Sequence, residues 1–129
     1  MKYNDESAKA LSLPFYGTTV DAFTAAYKAM FNATPSYHSA GGYAAGLVLQ
    51  KALETAGSTD TAKVRAALDS LDLITFFGHV KFSTDLKTHG KQVAHDMVYV
   101  QWLKGADGKL ATQIVWPTAA KSADAVLRK

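Results

Sequence analysis

Hydrophobic positions in the first half of the chain recur at helical spacing. Val20, Phe23, Tyr27, Met30 and Phe31 fall on one face, the 3.6-residue period of an amphipathic helix. Thr18 or Thr19 can cap its start, and Asp21 puts a negative charge in its first turn, where the helix dipole favours one. Asn32 to Pro35 ends it. A second helix is predicted from near His38 or Ser39. Leu47, Val48, Leu49, Ala52 and Leu53 give it a core side, Gln50, Lys51 and Glu54 a solvent side, and Gly57 a stop. Ser58-Thr59-Asp60 then offers three N-caps. Val64, Ala67, Leu68 and Leu71 form the stripe of a third helix, with Lys63, Arg65 and Asp69 facing out.

From Leu73 the period changes. Val80 and Phe82 alternate with His79 and Lys81, a half-buried strand approached through Thr75-Phe76-Phe77-Gly78. Residues 83–91 are polar, contain Gly90 and read as a loop. Residues 97–103 and 110–116 are two strands, with Gly105-Ala106-Asp107-Gly108 between them as a hairpin turn. Pro117 stops the second strand. Thr118 can cap a short last helix through Ala119, Ala120, Ala123, Val126 and Leu127. Residues 1–17 read as an irregular lead-in, because Pro14 and Gly17 bracket Phe15 and Tyr16. The pattern places the chain in the α/β class, with three to four helices and a C-terminal antiparallel hairpin.

Composition narrows the function classes. The chain has 129 residues, 48% hydrophobic and 19% charged. These are globular values, and a chain of this length buries about two-thirds of its unfolded surface. Residues 40–49, the longest apolar candidate, are too few to span a bilayer, so no membrane insertion is expected. Cysteine is absent, which excludes a disulfide framework, a thiol nucleophile and a thiolate metal site. The formal charge of +3 comes from Lys and Arg scattered between Lys2 and Lys129. Such scatter is a solvated surface, and no nucleic-acid partner is expected.

The strongest chemical candidate is the helix start Ser36-Tyr37-His38-Ser39. N–H donors at a helix N-terminus attract carboxylates. Gly41, Gly42 and Gly46, with Ala44 and Ala45, leave little bulk behind it. A helical glycine costs about 0.5–1 kcal/mol relative to alanine, so three of them need a reason, and close approach of a ligand or another backbone is one. Tyr37, His38 and Ser39 are therefore the candidate ligand-binding residues. The alternative is that Tyr37 and His38 only cap or pack the helix end. The histidines, His38, His79, His89 and His95, lack HExxH spacing, and no metal site is expected. No GxSxG elbow is present, and Ser39, Ser58 and Ser70 read as cap or surface residues. Gly41-Gly42 and Gly46 lack the preceding strand and following Lys-Ser/Thr of a phosphate loop. No catalytic residue, enzyme activity or cofactor is expected. Trp102 and Trp116 read as packing anchors, with sugar stacking as the alternative.

Several segments together resemble the C-terminal part of the substrate-binding proteins of branched-chain amino acid ABC transporters. They are Pro35-Ser36-Tyr37-His38, Gly42-Tyr43-Ala44-Ala45, Ala52-Leu53-Glu54, Ala56-Gly57-Ser58, Val64-Arg65-Ala66-Ala67-Leu68, Thr75-Phe76-Phe77-Gly78-His79-Val80-Lys81-Phe82, Val100-Gln101-Trp102 and Val115-Trp116-Pro117. The resemblance spans about residues 15–119. It implies a fragment of a two-lobe Venus-flytrap fold of the type I periplasmic binding proteins. In it, residues 18–72 form a helical part and residues 73–129 a hinge crossing, hairpin and last helix, all within a single domain of residues 1–129.

The resemblance also implies a function. In the complete protein two lobes close over an amino acid or similar small carboxylate and deliver it to an ABC transporter permease from the periplasm. His38, with Tyr37 beside it, matches a ring-bearing residue that lines the cleft. The first lobe's glycine- and serine-rich ligand loops and the opposing wall have no counterpart here, and residues 85–90 depart from the usual pattern. A complete ligand site in this chain alone is therefore not expected. Residues 1–7 carry no apolar region and no cleavage site, so no signal peptide is read there. In the complete protein the face of Tyr43, Leu47 and Leu53 and the strands bearing Trp102 and Trp116 would be covered by other parts. The isolated chain is therefore expected to form a homodimer, with residues 83–91 as a hinge for exchanging the hairpin. The alternative function is a free-standing, dimerising interaction module derived from that fold.

Overall fold

The computed structural model describes residues 5–94, 97–118 and 121–127, and the chain divides into two compact units on either side of residues 95 and 96. Among the described residues, four helices and two antiparallel strand pairs make it a small α/β protein.

The first unit holds α1 (Asp5–Ala10), α2 (Val20–Phe31), α3 (Tyr37–Ala56), α4 (Thr61–Asp69), β1 (Asp72–Thr75) and β2 (Gly78–Lys81). Local chemistry sets the helix ends. Thr19, Ser36 and Asp60 are the N-caps of α2, α3 and α4, each accepting a hydrogen bond from the amide three residues on. Asn32 and Gly57 close α2 and α3 in the left-handed conformation, and the Gly57 amide donates to the Leu53 carbonyl.

The strands of this unit lie between two short flanking segments. Asp72, Leu73, Ile74 and Thr75 face Lys81, Val80, His79 and Gly78. On the far side of β1, Phe15 makes a parallel bridge with Ile74. The Tyr16 amide donates to the Ile74 carbonyl (2.8 Å) and the Ile74 amide to the Pro14 carbonyl (2.9 Å). Phe76 and Phe77 form the tip between β1 and β2. Thr75, fully buried, closes this turn: its hydroxyl donates to the Gly78 carbonyl and accepts from the Phe77 and Gly78 amides. One core cluster gathers Phe23, Ala44, Leu47 and Phe76; another gathers Leu71, Leu73 and Val80.

The second unit is built on β3 (Tyr99–Lys104) and β4 (Leu110–Trp116), paired antiparallel with a register shift between Tyr99 and Val100. The expected turn is present: the Gly105 amide donates to the Lys109 carbonyl, and the Asp107 carboxylate accepts from the Lys109 amide.

The structure corrects four expectations. The lead-in is not wholly irregular, since α1 lies in it and Phe15 pairs with β1. Residues 72–75 are a strand in their own right, and Thr75-Phe76-Phe77-Gly78 is a hairpin rather than the approach to a single strand. The last helix is absent from residues 121–127, which include Ala123, Val126 and Leu127; Ala119 and Ala120 lie outside the described residues. Those amides are taken elsewhere: Ser122 and Ala123 donate to the Ile114 carbonyl, and Val126 donates to the Gln101 side chain. Finally, Leu47 is covered within the chain, packed in the Phe23 cluster and against Gly17, while Tyr43 stays 47% exposed.

Candidate functional site

Tyr37 is the first residue of α3, and Ser36 before it turns the chain into the helix. The Ser36 hydroxyl accepts from the Ser39 amide (3.2 Å), and the Ser36 carbonyl accepts from the Ala40 amide (3.1 Å). Ser39 is thereby part of the cap. Its own hydroxyl reaches the Ser36 hydroxyl (3.1 Å) and donates to the Tyr27 hydroxyl of α2 (3.2 Å). Tyr37 and His38 are exposed and touch each other edge to face, with ring centroids 5.6 Å apart. The structure thus brings Tyr37 and His38 together at the surface and directs Ser39 inward to α2.

Tyr37 connects to the core through other rings. Its ring lies 5.3 Å from Phe77 at the β1–β2 tip. Phe77 lies edge-on to Phe76 at 6.4 Å, and Phe76 stacks on Phe23 at 4.9 Å. Tyr43 closes the group, 5.1 Å from Phe23 and 6.0 Å from Phe76. A Cβ at Gly41 would sit 3.4 Å from the Phe77 ring, so this glycine lets the hairpin tip lie against α3. An aromatic wall therefore runs from the buried core to His38. The phenyl and phenol rings offer apolar contact, and the Tyr37 hydroxyl and His38 imidazole offer hydrogen bonds at the outer end.

Phe76 and Phe77 belong to this wall but are not among the sequence-derived site residues. The signals that could have found them are two adjacent phenylalanines in a four-residue turn and a glycine one helical turn after Tyr37.

A polar cluster stands at the other end of the same hairpin. The Asp72 carboxylate contacts the His79 imidazole through Oδ1 (2.6 Å) and the Lys81 ammonium through Oδ2 (2.5 Å). The His79 hydrogen bond first, and the Lys81 contact second, hold the Asp72 carboxyl below its ordinary range. On α4, Asp69 pairs with His89 (3.0 Å), whose other ring nitrogen lies 3.4 Å from the Arg65 guanidinium. Glu54 on α3 accepts from Gln50 and from the Tyr16 hydroxyl, contacts that lower its pKa. Burial and then Glu54 raise the Tyr16 hydroxyl. Among the described residues no group of three metal-ligating side chains comes together. His95 lies outside the described residues.

A shallow dent beyond the end of α2 is lined by Lys28, Asn32, Ala33 and Thr34 and holds none of the sequence-derived site residues. No described helix is long and apolar enough to cross a membrane. A family model described as periplasmic binding protein matches residues 9–109, a stretch that takes in α2 to β3 and the whole aromatic wall. No solved structure matches the chain.

Proposed function

We propose, because the chain belongs to the periplasmic binding protein family, that it is part of the substrate-binding component of an ABC transporter for amino acids or similar small carboxylates. The family consists of binding proteins rather than enzymes, and the reading assigns no bond-making step to any residue. The chain supplies the later portion of a two-lobe protein in the periplasm, and the permease is its macromolecular partner. Tyr37, His38 and Ser39 mark one wall of the cleft.

The observation that carries this reading is the aromatic wall ending in Tyr37 and His38 at the start of α3. A small amino acid has an apolar side chain and a charged carboxylate. The rings suit the first, and helix N-terminal amides favour the second. One wall alone holds a ligand weakly, because small-molecule sites bury about 70–90% of the ligand surface.

An NMR titration with leucine, valine and benzoate tests it. The expected dissociation constant is no tighter than about 1 mM, roughly −4 kcal/mol. Shift changes should concentrate on Tyr37, His38 and Ser39 and shrink in His38→Ala. Changes confined to other residues would overturn the site. A micromolar constant would mean that this chain holds a complete cleft.

One observation favours the second reading, a free-standing dimerising interaction module. Trp102 is 67% exposed and Leu110 60% exposed on the second unit. Association of the purified chain without ligand binding would support it.

A further inference from the structure

The outer edge of β2 is covered by a later stretch of the same chain. Residues 81–83 pair with residues 91–93 around an antiparallel bridge between Phe82 and Gln92. The Val93 amide donates to the Lys81 carbonyl (3.0 Å), and the Ser83 amide donates to the Lys91 carbonyl (2.8 Å). Further along β2 the Gln92 side chain continues the pairing. Its Oε1 accepts from the Lys81 amide (3.1 Å) and from the Ala94 amide (3.0 Å), and its Nε2 donates to the His79 carbonyl (2.7 Å). One planar carboxamide thus presents the acceptor and donor that a neighbouring strand's peptide groups would present.

Polar contacts dominate this attachment. Between the two paired stretches the loop closes on itself, through the Gly90 amide to the Ser83 carbonyl (2.8 Å) and the Ser83 hydroxyl to the Thr88 hydroxyl (2.8 Å). Its outward link is His89 to Asp69, with Arg65 beside it. Leu86 is 98% exposed and Val93 52% exposed, so neither contributes much burial. The β1–β2 pair is held differently: Leu73, Ile74, Thr75 and Val80 are all buried. Segments with few buried apolar contacts open locally at lower free energy than a packed core.

We propose that residues 83–94 are a strap, closed over the edge of β2 by the Gln92 carboxamide, that opens as a unit while β1 and β2 stay paired. Opening breaks the bonds of the Gln92 carboxamide to the Lys81 amide and the His79 carbonyl on the edge of β2. Gln92 is then both the latch of the strap and the guard of that edge.

Residue-resolved amide exchange on the whole chain tests this. In the native protein the amides of Lys81, Ser83, Val93 and Ala94 should exchange together. Their rate should exceed by about tenfold or more that of Leu73 and Val80, which face each other across the β1–β2 register. Gln92→Ala should speed all four of these amides by about tenfold or more again and leave Leu73 and Val80 unchanged. Gln92→Glu keeps the acceptor for the Lys81 and Ala94 amides and loses only the donor to the His79 carbonyl, so it should speed the strap amides less than Gln92→Ala does. Exchange of the four strap amides at the Leu73 and Val80 rate in the native protein would overturn the proposal. So would a uniform acceleration of all six amides in both variants, because the strap and the hairpin would then be one cooperative unit.

Discussion

The ring of Phe77, at the tip of the β1–β2 hairpin, lies 5.3 Å from the ring of Tyr37, at the first turn of α3. Residues forty positions apart in sequence thereby meet at the outer end of the aromatic wall. Phe77 is half-buried, so its removal forfeits only part of the 3–5 kcal/mol typical of a core phenylalanine, about 1–2 kcal/mol. Phe77→Ala should lower the urea-unfolding free energy of the first unit by that amount. It should also move the ring resonances of Tyr37 and His38 and leave those of Trp102 and Trp116 in place. Unmoved Tyr37 resonances would mean that the contact is not maintained in solution.

The glycines of α3 and its surroundings divide into two kinds. Gly42 and Gly46 are exposed, and a Cβ at either meets nothing within 4 Å. Gly42→Ala and Gly46→Ala should each stabilise the chain by about 0.5–1 kcal/mol, the helix-propensity difference. Gly17 has φ of +91°, and a Cβ there would lie 2.5 Å from a Leu47 methyl. Gly17→Ala should therefore destabilise by about 1–3 kcal/mol. Urea melts of the three variants check both signs. A loss of stability in Gly42→Ala or Gly46→Ala would show that another surface occupies that face.

The helices α2, α3 and α4 were legible because the hydrophobic period agrees with the end signals at Thr19, Asp60, Asn32 and Gly57; the start of α3, expected near His38 or Ser39, falls at Tyr37 with Ser36 as its cap. β1 was not legible. Leu73, Ile74 and Thr75 are all buried, so no alternation marks them as a strand. What makes them one is pairing on both sides, with residues 14–16 and with β2, and that depends on partners far away in sequence. The last helix failed for the converse reason. Its local signals, Thr118 and several alanines, are overridden where Ser122 and Val126 bond to Ile114 and Gln101. At the site, the start of α3 was legible to within one or two residues, but Phe77 was not, because only the folded hairpin brings it there.

Asp72 gives the first unit a defined acid response. Its folded pKa lies below the ordinary aspartate value of 3.8, because His79 and Lys81 stabilise the carboxylate. The stability it adds is fully present above the unfolded value, about pH 4, and is lost as pH falls through the lowered folded value. Asp72 and Lys81 face each other across the strand register, yet the Lys81 side chain is 52% exposed. The contribution is therefore about 0.5–1 kcal/mol at neutral pH. Asp72→Asn should lower the urea midpoint at about pH 7, and the difference from the native protein should shrink as pH falls below about 4. A difference that persists at the acid end would assign the effect to lost packing rather than to charge.

The last prediction is self-association through the second unit. On β3 and β4 the register places Val100 opposite Ile114 and Trp102 opposite Thr112. Val100 and Trp102 lie two residues apart, on one face of the hairpin, and are 52% and 67% exposed. A two-stranded hairpin is marginally stable by itself, so covering this face favours both the fold and the pairing of two copies. A symmetric dimer is the commonest solution, and a stable one buries about 1,600 Å² in total. Sedimentation equilibrium at micromolar concentration should therefore give twice the 13.8 kDa chain mass. Trp102→Lys should return the chain to monomer without changing amide protection in β1 and β2. A native protein that sediments only at 13.8 kDa across the accessible concentrations would refute the prediction and remove the main support for a free-standing dimerising module.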